Sequence, residues 1–69
     1  MRYSTRDIIK CGAIYVNAIE NYDMQKARNN LLDVVIYGDN VYYFNSKRKA
    51  KATFHFLTAN GETATYISC

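Results

Sequence analysis

The apolar residues in the second half of the chain form short runs typical of strands, whereas those in the first half follow a helical period. Residues 34–37 and 41–44 are rich in β-branched and aromatic side chains, which favour strands. Gly38-Asp39-Asn40 between them supplies residues that tolerate a tight turn. The two runs predict a β-hairpin, and a two-residue and a three-residue loop fit its sequence equally well.

A second hairpin is predicted around Asn60-Gly61, a dipeptide typical of type I′ turns between alternating strands. With that loop, Phe54, Phe56 and Ile67 share one side of the ribbon, and we assign this side to the core. The other side holds Thr53, His55, Leu57, Ala64 and Tyr66. That side is expected either to be solvated or to meet a partner.

Residues 5 to about 22 are predicted to form a first helix, because their apolar positions recur at helical spacing. Ser4 is suited to the N-cap, and Asp7 three residues later completes a capping box. Asp23 is then expected to cap a second helix over residues 24 to about 32. The alternative is one continuous, bent helix through the same residues.

These elements predict an α+β fold in one small domain over residues 1–69. One long or two short N-terminal helices would pack on a small antiparallel sheet of two β-hairpins, in the order α-α-β-β-β-β. The predicted core consists of Ile8, Tyr15, Ile19, Leu31, Phe54, Phe56 and Ile67.

The composition argues against several functional classes. Cys11 and Cys69 form no CxxC motif or Cys/His cluster, and His55 is the single histidine, so neither a metal nor another cofactor is expected. No glycine-rich phosphate loop, nucleophile motif or suitably spaced pair of carboxylates occurs, and we expect no catalytic residues and no enzyme. With no signal-like segment and no long apolar run, a cytoplasmic protein is expected.

The net charge of +3 is concentrated in one place. Residues 1–40 carry five Lys/Arg and five Asp/Glu, whereas residues 41–69 carry four Lys/Arg and the single acid Glu62. The excess lies in the segment predicted to connect the two hairpins. A partner-binding or nucleic-acid-binding surface is therefore predicted from this basic loop and nearby aromatics: Lys47, Arg48, Lys49, Lys51, Tyr42, Tyr43 and Tyr66.

In its size, its tyrosine and asparagine content and its combination of helix with a small sheet, the chain resembles the compact non-enzymatic proteins that phages make to interfere with host machinery. The resemblance implies an inhibitor or modulator that occupies a surface of a host protein or nucleoprotein complex, including nucleic-acid-handling and immune complexes. For a protein encoded by a phage, the expected location is the cytoplasm of the host cell. Two alternatives remain at this point. One is direct binding of single-stranded DNA or RNA. The other is a self-assembling subunit such as a homodimer, joined through Ile14 and the face with Leu57, Ala64 and Tyr66.

Overall fold

The computed structural model describes residues 2–69 and contains three helices, one 3-10 turn and a four-stranded sheet. In chain order the elements are α1 (Thr5–Lys10), β1 (Tyr15–Ala18), the 3-10 turn (Ile19–Asn21), α2 (Met24–Asn29), β2 (Asp33–Tyr37), β3 (Asn40–Phe44), α3 (Lys47–Ala59) and β4 (Ala64–Ile67). The α+β class is confirmed. The predicted order is wrong, because the chain runs α-β-α-β-β-α-β.

The predicted first hairpin is confirmed as β2 and β3, and it forms the centre of the sheet. Tyr37 pairs with Asn40, so the loop has two residues, Gly38 and Asp39. Gly38 has a φ of 64°, and Asp39 is not among the residues with positive φ. Glycine at the first loop position with positive φ is the pattern of a type II′ turn, whose twist suits a hairpin.

The sheet has the order β1-β3-β2-β4, and all neighbouring strands are antiparallel. β1 pairs with β3 at one edge, where Tyr15 lies opposite Tyr43. β4 pairs with β2 at the other edge, where Ile67 lies opposite Val34. Both edge strands therefore come from segments that are distant in sequence from the central hairpin.

The second hairpin is wrong, because its predicted first strand, residues 53–59, lies within α3, whereas its predicted second strand contains β4. Ser46 caps this helix by accepting a hydrogen bond from the Lys49 N–H (3.4 Å). The buried residues Ala50, Thr53 and Leu57 recur at helical spacing. The helix ends in a Schellman motif, in which the N–H groups of Gly61 and Glu62 donate to the carbonyls of Thr58 and Leu57 (3.1 and 3.0 Å).

α1 begins as predicted but ends much earlier. Ser4 and Asp7 form the expected capping box. The helix stops at Lys10, and Gly12, with a φ of 119°, turns the chain away from the helical path. The following residues join the sheet as β1, so neither a helix over residues 5 to 22 nor one continuous helix is formed.

α2 is confirmed in position, and Asp23 caps it by accepting from the Lys26 N–H (3.2 Å). This helix also ends in a Schellman motif, because Leu31 N–H donates to Arg28 (3.0 Å) and Leu32 N–H donates to Ala27 (2.9 Å). Glycine usually occupies the left-handed C′ position of this motif. Here the residue is Leu31, with a φ of 56°.

Each face of the sheet carries its own core. On one face, side chains of the central hairpin including Val35 and Phe44 pack with Ile8 of α1 and Leu57 of α3. On the other face, a smaller cluster of Ala27, Val34, Val41 and Tyr43 lies beneath α2. The helices therefore cover both sides of the hairpin, which is the most deeply buried part of the chain.

The predicted core is only partly correct. Ile8 is fully buried, and Phe54 and Ile67 are partly buried against the two clusters. Four of its members are exposed instead: Tyr15 (40%), Ile19 (42%), Leu31 (76%) and Phe56 (42%). The predicted core includes Phe56 because of its position in the predicted hairpin strand. Because this segment is a helix, the helical spacing buries Leu57 instead.

Candidate interaction surface

The basic residues and the most exposed apolar residue lie at the same end of the sheet. Asp33 and Phe44 form the last pair of the central hairpin there. Leu31 precedes Asp33 by two residues, which places their Cα atoms within about 7 Å. Phe44 is followed by the Ser46 cap and the first turn of α3. We call this region the Asp33 end.

The basic residues form the first two turns of α3 rather than a loop, which corrects the prediction. Lys47, Arg48 and Lys49 occupy the first three helical positions after the Ser46 cap, and Lys51 follows in the next turn. All four side chains are exposed. Sequence identified these residues correctly as a basic cluster, but it assigned them to the wrong kind of backbone.

The charge arrangement in α3 is unfavourable for the helix itself. The amino-terminal end of a helix carries a partial positive charge, so acidic residues stabilise the first turn and basic residues destabilise it. The first turn of α3 contains no acidic residue, and the whole helix contains none. Its free N–H groups and its cationic side chains therefore combine into one exposed, positively polarised surface.

The side chain of Lys49 is oriented by its packing against Gly12. A Cβ atom on Gly12 would lie 2.7 Å from Cδ of Lys49, so the lysine stem packs directly against the Gly12 backbone. Next to it, Cys11, Ala52, Thr53 and Phe56 line a shallow groove of about 290 Å³ between α1 and α3. The Thr53 hydroxyl in this groove already donates to the Lys49 carbonyl (2.9 Å).

A buried carboxylate anchors the Asp33 end. Asp33 is 2% exposed and accepts hydrogen bonds from the Tyr66 hydroxyl and the Cys69 N–H, both at 3.0 Å. Burial acts to raise the pKa of Asp33. Hydrogen bonds from Cys69 and Tyr66 and the positive charge of Lys47 outweigh this effect, and the pKa is lowered. The positive charge of Lys47 therefore stabilises the ionised form of Asp33, although the Lys47 side chain is itself exposed.

The predicted aromatic contacts do not accompany the basic residues. Tyr42 and Tyr43 are 2% and 3% exposed, because they lie in the central strand β3 with one side chain in each core. Tyr66 is half-buried and directs its hydroxyl to Asp33. These three tyrosines pack in or against the two cores, and they do not form a stacking surface beside the cations.

The exposed apolar group at the Asp33 end is Leu31, which sequence reasoning placed in the core. A signal for its true position was present, since an Asp-capped helix of basic and polar residues ends just before it. The surface predicted for self-assembly is also changed. Leu57 is fully buried, Ala64 and Tyr66 are half-buried, and only Ile14 of that set is exposed.

His55 lies on the exposed side of α3, not on a strand. Among residues 2–69, no group of three or more His, Cys, Asp or Glu side chains is arranged to hold a metal ion. No helix in this part of the chain has the length and apolar character needed to cross a membrane. Comparisons with protein-family models, with curated proteins and with solved structures find no match.

Proposed function

We propose that the protein is a non-catalytic binding protein that occupies an acidic surface of a larger host complex through the first two turns of α3. Such a role fits a phage or mobile-element protein that inhibits or modulates host machinery. The supporting observation is the run of three exposed cations, Lys47, Arg48 and Lys49, at the start of α3.

This run lowers the stability of its own helix, by roughly 0.3–1 kcal/mol for each cation relative to a neutral residue. Replacing Lys49 by Glu would even complete a capping box with Ser46, the arrangement that the same chain uses between Ser4 and Asp7. The sequence therefore holds positive charge where folding favours negative charge. A partner with negative charge explains that choice, because it gains attraction from both the side chains and the helix end.

An acidic protein surface is a better candidate than single-stranded nucleic acid. Non-specific binding of single strands combines cations with aromatic rings on which bases stack. The tyrosines predicted for stacking, Tyr42 and Tyr43, are buried in the two cores. The tyrosines predicted for stacking are therefore not available beside the cations, and the exposed rings of α3, His55 and Phe56, lie in later turns of the helix.

The test compares the wild type with a variant carrying Arg48→Glu, Lys49→Glu and Lys51→Glu. Lys47 is retained because its charge supports the buried Asp33. The control carries Arg6→Glu, Lys10→Glu and Lys26→Glu, which are exposed residues with the same total change in charge. Each protein is immobilised and exposed to a bacterial lysate, with and without nuclease, over a series of salt concentrations.

We expect the wild type and the control to retain the same nuclease-resistant protein, and the α3 variant to lose it. Because acidic residues suit the start of a helix, the α3 variant should melt no lower than the wild type, and thermal melting of all three proteins checks that a loss of binding does not come from unfolding. Equal retention by the wild type and the α3 variant would refute the proposal. Retention that disappears with nuclease would support the nucleic-acid alternative instead.

A further inference from the structure

Leu31 is unfavourable in its position for two independent reasons. Its φ of 56° lies in the left-handed region. This conformation is unfavourable for a residue with a Cβ atom, but not for glycine. Its side chain is also 76% exposed, more than any other large apolar residue in residues 2–69. The corresponding position at the end of α3 holds Gly61, with a φ of 80°.

Folding does not explain this leucine. The apolar contact that usually accompanies a Schellman motif is already made by Leu32, which packs against the cluster that contains Ala27. Leu31 itself belongs to neither core cluster. Glycine or asparagine would therefore end α2 equally well without exposing an apolar side chain. An observed outlier of this kind supports a functional role for the residue.

The neighbours of Leu31 identify the kind of partner. Arg28, three residues before it, is an exposed cation in the last turn of α2, a helix without acidic residues. On the other side of the Asp33–Phe44 pair, Lys47 and Arg48 begin α3. Leu31 therefore lies at the same end of the sheet as exposed cations of two helices, with α2 on one face and α3 on the other.

We propose that Leu31 is the apolar anchor of the interface described above, and that it inserts into an apolar pocket of a partner protein whose rim carries carboxylates facing Arg28, Lys47 and Arg48. This inference rests on the proposed function and specifies the partner surface. Burial of an aliphatic side chain in a protein pocket is favourable because it removes apolar surface from water. A solvated phosphate backbone offers no such apolar environment. Charged groups around a buried apolar anchor provide orientation and a faster encounter.

The probe for the test is the nuclease-resistant protein that the wild type retains from the lysate, purified and titrated by calorimetry. Leu31→Gly should weaken binding by about 10- to 100-fold, the factor that corresponds to burial of one leucine side chain. Leu31→Met keeps an apolar side chain and should stay within a few-fold of the wild type. The matched control is Ile19→Ala, which truncates another exposed apolar residue (42% exposed) at the opposite end of the sheet, where the Ile19 N–H donates to the Asp39 carbonyl.

The affinity change of Leu31→Gly should persist at high salt, because apolar burial is not screened, whereas the effect of the α3 variant should shrink. If Leu31→Gly binds like the wild type while the α3 variant does not, the inference is wrong and the proposed function stands. Equal losses for Leu31→Gly and Ile19→Ala would also refute it, since the effect would then not be local. If the wild type retains no protein that the α3 variant loses, both proposals fall together.

Discussion

Reciprocal substitutions at the ends of α2 and α3 test whether backbone strain at Leu31 is real. Both positions are the left-handed C′ residue of a Schellman motif, with φ angles of 56° at Leu31 and 80° at Gly61. Leu31→Gly relieves the strain at the first position, and Gly61→Leu introduces it at the second. The two changes exchange the same pair of residue types in the same local geometry.

The expected magnitudes follow from the surroundings of each residue. The left-handed conformation costs a residue with a Cβ about 1–2 kcal/mol. The greater freedom of glycine in the unfolded chain returns about 0.5–1 kcal/mol of that. Leu31 is 76% exposed, so little apolar burial is lost, and a Cβ on Gly61 would meet no atom within 4 Å, so no clash is added. Leu31→Gly should therefore stabilise by about 0.5–1 kcal/mol, and Gly61→Leu should destabilise by a similar amount.

Thermal unfolding followed by circular dichroism measures both changes. For a domain of this size, 1 kcal/mol shifts Tm by about 4–8 °C. Leu31→Gly should raise Tm by several degrees, and Gly61→Leu should lower it. Leu31→Asn should lie between the wild type and Leu31→Gly, since asparagine tolerates this conformation better than leucine. A lower Tm for Leu31→Gly, or an unchanged Tm for Gly61→Leu, would refute the assignment of strain.

Two further predictions concern stability. The folded-state pKa of Asp33 lies below its ordinary value of 3.8, so the ionised group stabilises the fold above that pH, and this stability is lost as the pH falls through the folded pKa. The free energy of unfolding of the wild type, measured with urea, should therefore decrease below about pH 4. Asp33→Asn should lack this pH-dependent decrease. Phe44→Ala removes a fully buried ring and should lower the free energy of unfolding by about 3–5 kcal/mol, which is comparable to the whole stability expected of so small a domain. Phe56→Ala removes a ring that is 42% exposed, and circular dichroism should show that this variant remains folded.

Local signals in the sequence were sufficient for the hairpin and for two helix starts. The β-branched and aromatic runs on either side of Gly38-Asp39 predicted β2 and β3, and Ser4 and Asp23 predicted the caps of α1 and α2. These features depend on side chains and backbone within a few residues of one another. They could therefore be recognised without knowledge of the remainder of the fold.

The error in α3 arose from one ambiguous dipeptide. Asn-Gly suits a type I′ turn, but glycine also suits the left-handed residue that ends a helix, and here Gly61 has the second role. The spacing of Ala50, Thr53 and Leu57 is helical, and Ser46 is a good N-cap, so the helix was recoverable from the sequence. The alternation of Phe54 and Phe56 also fits a strand, so the two patterns compete over the same residues.

The strand β1 could not be found from its own residues. Residues 15–18 fit a helical period, and they form a strand because β3 supplies hydrogen-bonding partners from more than 20 residues away in sequence. Burial of Tyr42 and Tyr43 depends on the same distant pairing. The cations could be recognised as a cluster because they are adjacent in sequence, whereas the position of the tyrosines depends on burial and therefore on the whole fold.

The central position of the hairpin has a consequence for the order in which the molecule opens. β2 and β3 close a short loop, whereas β1 and β4 each bring distant segments together and lose more chain entropy when they dock. Edge strands of this kind are expected to exchange their amide hydrogens through small, local openings, whereas the buried central hairpin should exchange mainly when the whole domain unfolds. Leu31 and the start of α3 are joined directly to the two strands of that hairpin. Leu31 and the cations of α3 are therefore expected to keep their spacing when an edge strand opens.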